Sequence, residues 1–345
     1  MKIIFEPNQS KTNTYVNILR DSLAKAGIIS CSVQSAFKSW SAFRAIEVVH
    51  LNWFENVGSI AEFVKKFTKL IIFKLSGKKL IWTFHNKQPH NQSYQSLSRL
   101  LMYCLAHYSR YIIIHSRSSE NLLVGYYGEC VRSRIQYVPH PHYIQTYGES
   151  MNNKISSAVS PLSLLFLGAV KPYKNLELLI DAVQSFDKHD VELTIMGKPA
   201  SDKYRLSLME KADGFSNIHL NLQFVDDSKI SKILSEYDLM VFPYSMESSL
   251  NSGSVILAFS YGKTVICPAI GTVTDFDDHE NMIIYDYDTP ESHLNHLKNA
   301  IQQAILNKKQ NPEIFELRGK KMLEKVKTGN NPDEIGKLLA TLYQN

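Results

Sequence analysis

Short apolar runs recur along the chain, and most of them end in glycine, histidine or another polar residue. Uninterrupted runs of this kind are typical of strands that a parallel sheet buries on both faces. Segments with apolar residues at helical spacing separate them, and this alternation predicts an α/β fold with doubly wound parallel sheets. The predicted strands cover residues 3–5, 48–51, 80–84, 111–115, 135–138, 164–167, 191–196, 218–220, 239–242 and 265–267.

A polar stretch over residues 146–160 divides the chain. It contains Gly148, Asn152, Asn153 and four serines, a composition typical of a linker. A chain of 345 residues is long enough for two domains, each with its own core. We predict a first domain over residues 1–150, a second over 151–328, and a C-terminal helix over 329–345.

The composition is that of an ordinary globular protein, with 44% hydrophobic and 21% charged residues. The four cysteines are widely spaced and include no C-x-x-C pair, so neither a disulfide framework nor a zinc site is indicated. The apolar run at the N-terminus is too short for a signal peptide, and no run of 18 apolar residues would span a membrane. We therefore expect a cytoplasmic protein.

Charge is distributed unevenly between the two halves. Residues 1–150 contain 18 Lys and Arg against 8 Asp and Glu, whereas residues 151–345 contain 20 against 25. A basic half indicates an anionic partner, either a membrane surface or nucleic acid. Residues 63–79 combine six lysines with large apolar side chains, which favours peripheral membrane contact through an amphipathic helix. A helix packed on the sheet with solvated lysines is the alternative.

Residues 164–183 join a buried strand, a basic turn and a helix without a break. We expect Asn175 to cap the helix, so that its first free N–H groups face Lys171 and Lys174. Exposed backbone donors, the positive end of the helix dipole and two ammonium groups together predict a phosphate or diphosphate site. The alternative is a solvated turn with two surface lysines.

A second turn in this half has a different composition. Asn251, Ser252, Gly253 and Ser254 place small residues at the start of a predicted helix, where a phosphate can approach the backbone N–H groups. A serine-capped core helix that binds nothing is the alternative. Two anion-accepting turns in one half of the chain fit a diphosphate held from both sides.

The most polar loop of the first half follows the strand at 80–84. His85, Asn86 and His90 lie at or just beyond its end, where a parallel sheet presents functional groups. Imidazole is a common proton-transfer group. We expect no metal here, because two histidines on an irregular loop lack helical geometry and a nearby cysteine or carboxylate. A histidine that caps the strand for structural reasons is the alternative.

The turn G-A-V-K-P-Y-K-N at residues 168–175 resembles the G-x-[LI]-[RK]-P-Y-K-[GN] turn of nucleotide-sugar-dependent glycosyltransferases with the GT-B fold, especially family 4 (group 1) and its relatives. V-P-H-P-x-Y at 138–143 resembles the turn that closes the first domain in that family, and residues 224–244 resemble a segment of its nucleotide domain. The resemblance implies two Rossmann-like doubly wound domains that face a cleft. It also implies that the last helix crosses back onto the first domain.

The same resemblance implies roles for individual residues. Lys174 would contact the donor diphosphate, with Lys171 supplying a second charge because Ala169 stands where many members have arginine. Phe224 and Val225 would flank the base. On the acceptor side, His85 would lie near the sugar and the acceptor, and Asn13 would open the first helix, as the N-T-Y at 13–15 suggests.

The chain departs from the family pattern at two positions. Most members carry two glutamates eight residues apart around the second turn, and here Ser249 and Leu257 occupy those positions. Glu247 is the candidate for the first role, whereas Leu257 cannot hydrogen-bond a ribose. Diphosphate binding is therefore expected, and recognition of the donor ribose is left without an assigned residue.

These expectations define a metal-independent hexosyltransferase without a cofactor. Its donor would be a nucleoside-diphosphate sugar of the UDP or GDP type, and its acceptor a saccharide or lipid-linked saccharide in bacterial surface polysaccharide biosynthesis. The expected catalytic residues are His85, Lys174 and Glu247. A non-catalytic partner of another transferase or a sugar-nucleotide epimerase are the alternatives, and a nucleic-acid-binding protein ranks last because no known reader motif accompanies the lysines.

Overall fold

The computed structural model describes residues 1–87, 94–151 and 156–345. These residues form two compact units. The first consists of Met1–Pro141 together with Asn330–Asn345, and the second of His142–Gly329. The last stretch of the chain therefore belongs to the first unit.

Within the described residues, the first unit contains one parallel sheet. In chain order its strands are β1 (Lys2–Glu6), β2 (Ile29–Cys31), β3 (Val48–Asn52), β4 (Lys79–Phe84), β5 (Tyr111–Ile114) and β6 (Ile135–Tyr137). Its helices are α1 (Thr14–Lys25), α2 (Val33–Ala36), α3 (Trp40–Arg44), α4 (Ile60–Leu75), α5 (Gln95–Tyr108), α6 (Ser118–Tyr127) and the C-terminal α14 (Pro332–Gln344). The strand order is β2-β1-β3-β4-β5-β6, with every pair parallel.

The second unit repeats this architecture. Its strands are β7 (Leu162–Leu167), β8 (Val191–Met196), β9 (Ile218–Asn221), β10 (Leu239–Val241), β11 (Val265–Pro268) and β12 (Ile283–Tyr285). Its helices are α7 (Leu176–Gln184), α8 (Asp202–Ala212), α9 (Ile230–Ser235), α10 (Gly253–Ser260), α11 (Gly271–Thr274), α12 (Pro290–Gln310) and α13 (Ile314–Gly329). The parallel strands run in the order β12-β11-β10-β7-β8-β9.

The predicted α/β class with doubly wound parallel sheets is confirmed. The runs that predicted strands are almost completely buried, as in β3 and in residues 164–167 of β7. Each sheet has a point where the strand order reverses, between β1 and β3 in the first unit and between β7 and β10 in the second. Ligands of open α/β sheets bind outside the carboxyl ends of the strands at such a point.

The sequence missed β2, α2 and α3. The residues of β2 are exposed or half-buried and the strand lies at the edge of its sheet, so it lacks the apolar run that marks the other strands. The first unit also ends at Pro141, before the predicted boundary at 150. The backbone N–H groups of Tyr143 and Tyr147 donate to Ser260 Oγ and to the Tyr261 hydroxyl, at 2.9 and 2.7 Å, and these bonds attach the segment to the second unit.

The C-terminal helix completes the core of the first unit. Side chains of α14, including Ile335, Leu339 and Tyr343, are buried in one cluster with residues of α1 and β1. The Tyr343 hydroxyl lies 2.6 Å from His50 Nδ1 in β3. The two helices are in close contact at Gly336, where an added Cβ would come within 2.5 Å of the Ser22 carbonyl oxygen.

We expect Gly336→Ala to destabilise the protein, because an extra methyl group at a backbone contact forces α1 and α14 apart. Overpacking of this kind typically costs about 1–3 kcal/mol. Gly125→Ala is the matched control, since Gly125 lies in α6 with nothing within 4 Å of an added Cβ, and there alanine should stabilise by about 0.5–1 kcal/mol. Thermal melts of both variants check this. A melting temperature that rises equally in both would contradict the close contact.

Candidate active site

The basic turn leaves β7 through Gly168, whose φ is 149°. A short 3₁₀ turn over Pro172–Lys174 follows, and α7 then begins at Leu176. Asn175 does precede the helix, but its side chain makes no capping hydrogen bond. Its backbone is left-handed instead, with φ at 51°, a conformation that asparagine tolerates better than most residues. The predicted side-chain cap is therefore wrong, and Asn175 acts through its backbone.

The path of this turn is fixed by a contact between two glycines. A Cβ on Gly197, directly after β8, would lie only 1.8 Å from the Gly168 carbonyl oxygen. Val170 then pairs with Pro199 in an isolated bridge, and the Val170 N–H donates to the Lys198 carbonyl at 3.0 Å. Only glycine at position 197 allows the chain after β7 to approach the chain after β8 so closely.

Lys174 is buried at the end of this turn. The residue is only 8% exposed. Its Nζ lies 5.3 Å from the ring centroid of Phe166 and 5.5 Å from that of Tyr244. No carboxylate in the described ranges pairs with it. Burial, and to a smaller extent the nearby charge of Lys171, lowers the pKa of Lys174 to about 8. The protein therefore holds a desolvated ammonium group whose charge aromatic faces offset only in part.

The second predicted phosphate element lies beside the first. Ser252 caps α10 by accepting a hydrogen bond from the Val255 N–H at 3.2 Å, while its own N–H donates to Thr272 Oγ1 at 2.8 Å. Among the described residues, nothing accepts a hydrogen bond from the N–H groups of Gly253 and Ser254. These two donors point from the positive end of the helix.

Gly168 marks the place where the two elements meet. A Cβ on Gly168 would lie 3.3 Å from Lys174 Nζ and 3.4 Å from Ser254 Oγ. Tyr244 contacts both elements. Its ring packs near the Lys174 ammonium, and its hydroxyl accepts a hydrogen bond from Ser252 Oγ at 3.2 Å. The fold thus brings an ammonium group and a helix N-terminus to one spot at the carboxyl end of β7.

The remaining residues predicted for the donor side lie in the basic turn, before α10, and in the loops after β9 and β10. Lys171 is half-buried and lies 6.0 Å above the Tyr173 ring, Asn251 is half-buried before α10, and Glu247 is exposed in the loop after β10. Phe224 is 65% exposed and Val225 half-buried, both in the loop after β9. Ser249 is buried and Leu257 lies within α10. Neither side chain has a carboxylate.

His85 occupies the corresponding place in the first unit, directly after β4. Its ring stacks on Trp53 at 3.9 Å between centroids, and Nε2 lies 3.0 Å from Asn52 Oδ1. Asn52 Nδ2 donates to the Glu6 carbonyl at 3.5 Å, which directs Oδ1 to the histidine, so Nε2 carries the proton. Burial, followed by the neighbouring histidines, holds the pKa of His85 well below its ordinary range.

Sequence analysis missed that His85 belongs to a cluster. His115 lies 5.4 Å from it between ring centroids, and His140 lies 5.5 Å from His115. The Tyr15 hydroxyl donates to His115 Nε2 at 2.7 Å, and His115 Nδ1 donates to the Val138 carbonyl at 2.7 Å. Burial lowers the pKa of His115 to about 4 and that of His140 to about 3, so the cluster is neutral at pH 7. The signal was available, since these histidines also follow apolar runs.

Trp53 was also missed. Its backbone is left-handed, with φ at 49°, and such a conformation in a bulky residue costs of order 1–3 kcal/mol and is concentrated at functional sites.

The other residues predicted for the acceptor side lie near the same strand ends or outside the described ranges. Asn13 precedes α1 without a side-chain cap, and Asn86 is half-buried with an Nδ2 that makes no hydrogen bond within the described ranges. His90 lies outside the described residues. No group of three or more potential metal ligands occurs in the part of the chain that the structure describes.

Two sequence comparisons relate this chain to known enzymes. A sequence profile described as glycosyl transferases group 1 matches residues 161–303. A GDP-mannose:glycolipid 4-beta-D-mannosyltransferase from Xanthomonas campestris pv. campestris is 25% identical over 278 residues, which cover 76% of this chain and 71% of that protein. The protein is a glycosyltransferase.

Comparison with solved structures shows that this glycosyltransferase has the GT-B fold. Anabaena HepE in complex with UDP and glucose superposes with a TM-score of 0.73 at 14% identity, covering 100% of this chain and 99% of that one. The sucrose-phosphate synthase from Thermosynechococcus elongatus gives a TM-score of 0.74 at 15% identity, with coverage of 100% and 98%. The matched group 1 segment contains the basic turn, Lys174 and α10, whereas the histidine cluster lies outside it.

We expect Lys174→Met to raise the melting temperature of the ligand-free glycosyltransferase at pH 7, because it removes a buried charge that pairs with no carboxylate over residues 1–87, 94–151 and 156–345. The gain should shrink between pH 8 and 10.5. In that range the folded wild-type lysine is already neutral while the unfolded lysine is still protonated, so wild-type stability rises with pH.

Scanning calorimetry at pH 7 and pH 9.5 measures both effects. Lys198→Met serves as the control, because Lys198 is exposed in the adjacent turn and should change stability little at either pH. A Lys174→Met protein that melts below the wild type at pH 7 would show that the ammonium group has a favourable partner.

Proposed function

We propose that this glycosyltransferase moves a hexose from a nucleoside-diphosphate sugar, of the GDP or UDP type, to a saccharide or lipid-linked saccharide acceptor. The observation that supports a diphosphate donor is the buried ammonium of Lys174 beside the two unbonded N–H groups at the start of α10. A diphosphate would provide the negative charge that this site lacks. Its binding would also favour the protonated lysine.

The chemistry required of such a site is stabilisation of the leaving group. When the bond from the sugar to the diphosphate breaks, negative charge grows on the departing oxygen. An ammonium group and helix N–H donors fixed in a water-poor position stabilise that charge without reorganising. We assign this role to Lys174, supported by Lys171 and the backbone N–H groups of Gly253 and Ser254. The N–H of Ser252 is already bonded to Thr272, so Ser252 contributes by capping the helix. We propose that transfer needs neither metal nor cofactor.

The other assigned residues bind the rest of the reactants. Glu247, exposed after β10, would face the donor sugar, and Phe224 and Val225 would contact the base. In the first unit, His85 would contact the acceptor hydroxyl. Asn52 holds its Nε2 proton, so in the neutral ring Nδ1 is the basic nitrogen. Asn13, Asn86 and His90 complete the proposed acceptor side.

The relatives support this proposal and leave two donors to compare. The Xanthomonas relative is named for GDP-mannose and a glycolipid, and the Anabaena structure contains UDP and glucose. Because this chain aligns with the first over most of its length, we propose a lipid-linked acceptor and a role in bacterial surface polysaccharide biosynthesis.

A lipid-linked acceptor would require contact with a membrane surface. Among the described residues no helix is long and apolar enough to cross a bilayer. One side of α4 is nevertheless apolar and accessible, since Ile60, Val64 and Leu75 are 63%, 54% and 82% exposed. Lys65 and Lys74 are exposed on the same helix. An apolar stripe beside lysines suits the surface of an anionic bilayer, so we propose peripheral contact through residues 63–79 and the start of α4.

Nucleotide binding tests the proposed donor site. We expect either GDP and GDP-mannose or UDP and UDP-glucose to raise the melting temperature of the wild type, because a ligand that binds only the folded state stabilises it. Lys174→Met should abolish the shift, and turnover with the matching donor should fall about 10²–10³-fold. Lys198→Met should keep both. Intact turnover in Lys174→Met would overturn the assignment, and no shift of the wild type with any nucleotide sugar would overturn the proposed donor.

Vesicle sedimentation tests the membrane contact. We expect the protein to bind vesicles of phosphatidylglycerol and to be released by salt, because the attraction between lysines and anionic lipid is screened. Replacing Ile60, Val64 and Leu75 together by serine should weaken this binding. The same replacement of Leu206, Met209 and Phe215, which are 61%, 45% and 40% exposed in the second unit, should not. Equal binding by both triple variants would contradict the role of α4.

A further inference from the structure

One side-chain hydroxyl contacts the backbone of the loop from Tyr244 to Glu247 at two points. Tyr287, two residues beyond the end of β12, accepts a hydrogen bond from the Met246 N–H at 2.8 Å and donates one to the Tyr244 carbonyl at 3.1 Å. One hydroxyl group therefore fixes two backbone groups of the loop immediately before Glu247. Nothing in the sequence pattern singled out this tyrosine.

The ring that carries this hydroxyl is itself immobilised. Tyr287 stacks on His293 in α12, with 3.8 Å between ring centroids and an interplanar angle of 4°. His293 is only 2% exposed, and its Nε2 lies 2.9 Å from the Tyr285 hydroxyl. Burial lowers the pKa of His293 to about 4, so the stack is neutral at pH 7. The stacking on a buried histidine therefore fixes the position of the Tyr287 hydroxyl.

At its other end the loop is attached to the proposed diphosphate site. The Ser245 N–H donates to the Tyr173 carbonyl at 3.4 Å. Tyr244 has restraints of its own, since its ring stacks on Phe242 at 5.3 Å and its hydroxyl bonds to Ser252. Loss of the Tyr287 hydroxyl would therefore leave Tyr244 and Lys174 in place. It would remove the hydrogen bond that the Met246 N–H donates, directly before Glu247.

We propose that Tyr287 is a positioning residue that holds Glu247 against the sugar of the donor. This inference rests on the donor site proposed above. It follows that different elements of the second unit bind the two parts of the donor. The diphosphate is held by Lys174 and the start of α10, whereas contact with the sugar depends on a loop that a neighbouring strand and helix keep in place.

Tyr287→Phe tests this inference because it removes the hydroxyl and keeps the stacked ring. Calorimetric titration of the full-length protein with GDP and GDP-mannose, or with UDP and UDP-glucose, gives the two affinities for whichever pair the wild type binds. We expect the dissociation constant of the sugar nucleotide to rise roughly 3- to 10-fold, as for the loss of a hydrogen-bonded contact. The dissociation constant of the nucleoside diphosphate should change less than about 2-fold, since its partners are untouched.

Tyr285→Phe is the matched control. It removes a buried hydroxyl from the same aromatic cluster, where it bonds only to His293 among the contacts described, so it should lower stability without changing the ratio of the two affinities. A double-mutant cycle of Tyr287→Phe with Glu247→Gln adds a second measurement. If Tyr287 acts through Glu247, the effects of the two changes on sugar-nucleotide affinity should be less than additive.

The outcomes separate this inference from the proposal on which it rests. Equal weakening of both ligands by Tyr287→Phe, an unchanged ratio, or additive effects in the cycle would overturn the positioning role while leaving the diphosphate site intact. A wild-type protein that binds neither nucleoside diphosphate would instead overturn the proposed donor site, and with it this inference.

Discussion

The second unit is organised around a buried charge that no carboxylate neutralises in the part of the chain that the structure describes. Lys174 has its ammonium group above two aromatic rings in a nearly water-free position, where an unpaired charge is costly. The chain can place it there because Gly168 and Gly197 let the turn after β7 run against the turn after β8. The buried ammonium group lowers the stability of the ligand-free protein, and a bound anion would offset this cost. Such a conflict between local rules and the overall fold is expected at a functional site.

The first unit has a similar architecture but a different distribution of charge. Its 19 Lys and Arg residues outnumber its 9 Asp and Glu residues, yet the carboxyl ends of its strands present a cluster of histidines that burial keeps neutral. The surface of this unit is cationic while its candidate site is uncharged and hydrogen-bonded. The two units therefore have different electrostatic environments at the carboxyl ends of their strands, although both are built from parallel strands of the same kind.

Much of this arrangement follows from local pattern. Buried parallel strands need continuous apolar sequence, so the runs at 48–51 and 164–167 marked their strands and the fold class directly. The candidate positions at strand ends followed from the topology of such sheets. Capping was less predictable, because Asn175 can stabilise the start of α7 either through its side chain or by adopting a left-handed backbone, and the sequence favours neither. The segment around Tyr143 was taken for part of the first domain because hydrogen bonds to Ser260 and Tyr261 span more than a hundred residues.

The sequence by itself determined the α/β class, the two sheets, the basic turn and the small-residue turn, because each depends on neighbours within a few residues. Only the tertiary structure decided that Lys174 is buried with no carboxylate partner among the described residues, that Ser254 and Lys174 meet at Gly168, and that Tyr287 bonds to the loop before Glu247. These relations join strands and helices distant in sequence. Desolvation and hydrogen bonding across such distances depend on how the chain packs, which local composition does not encode.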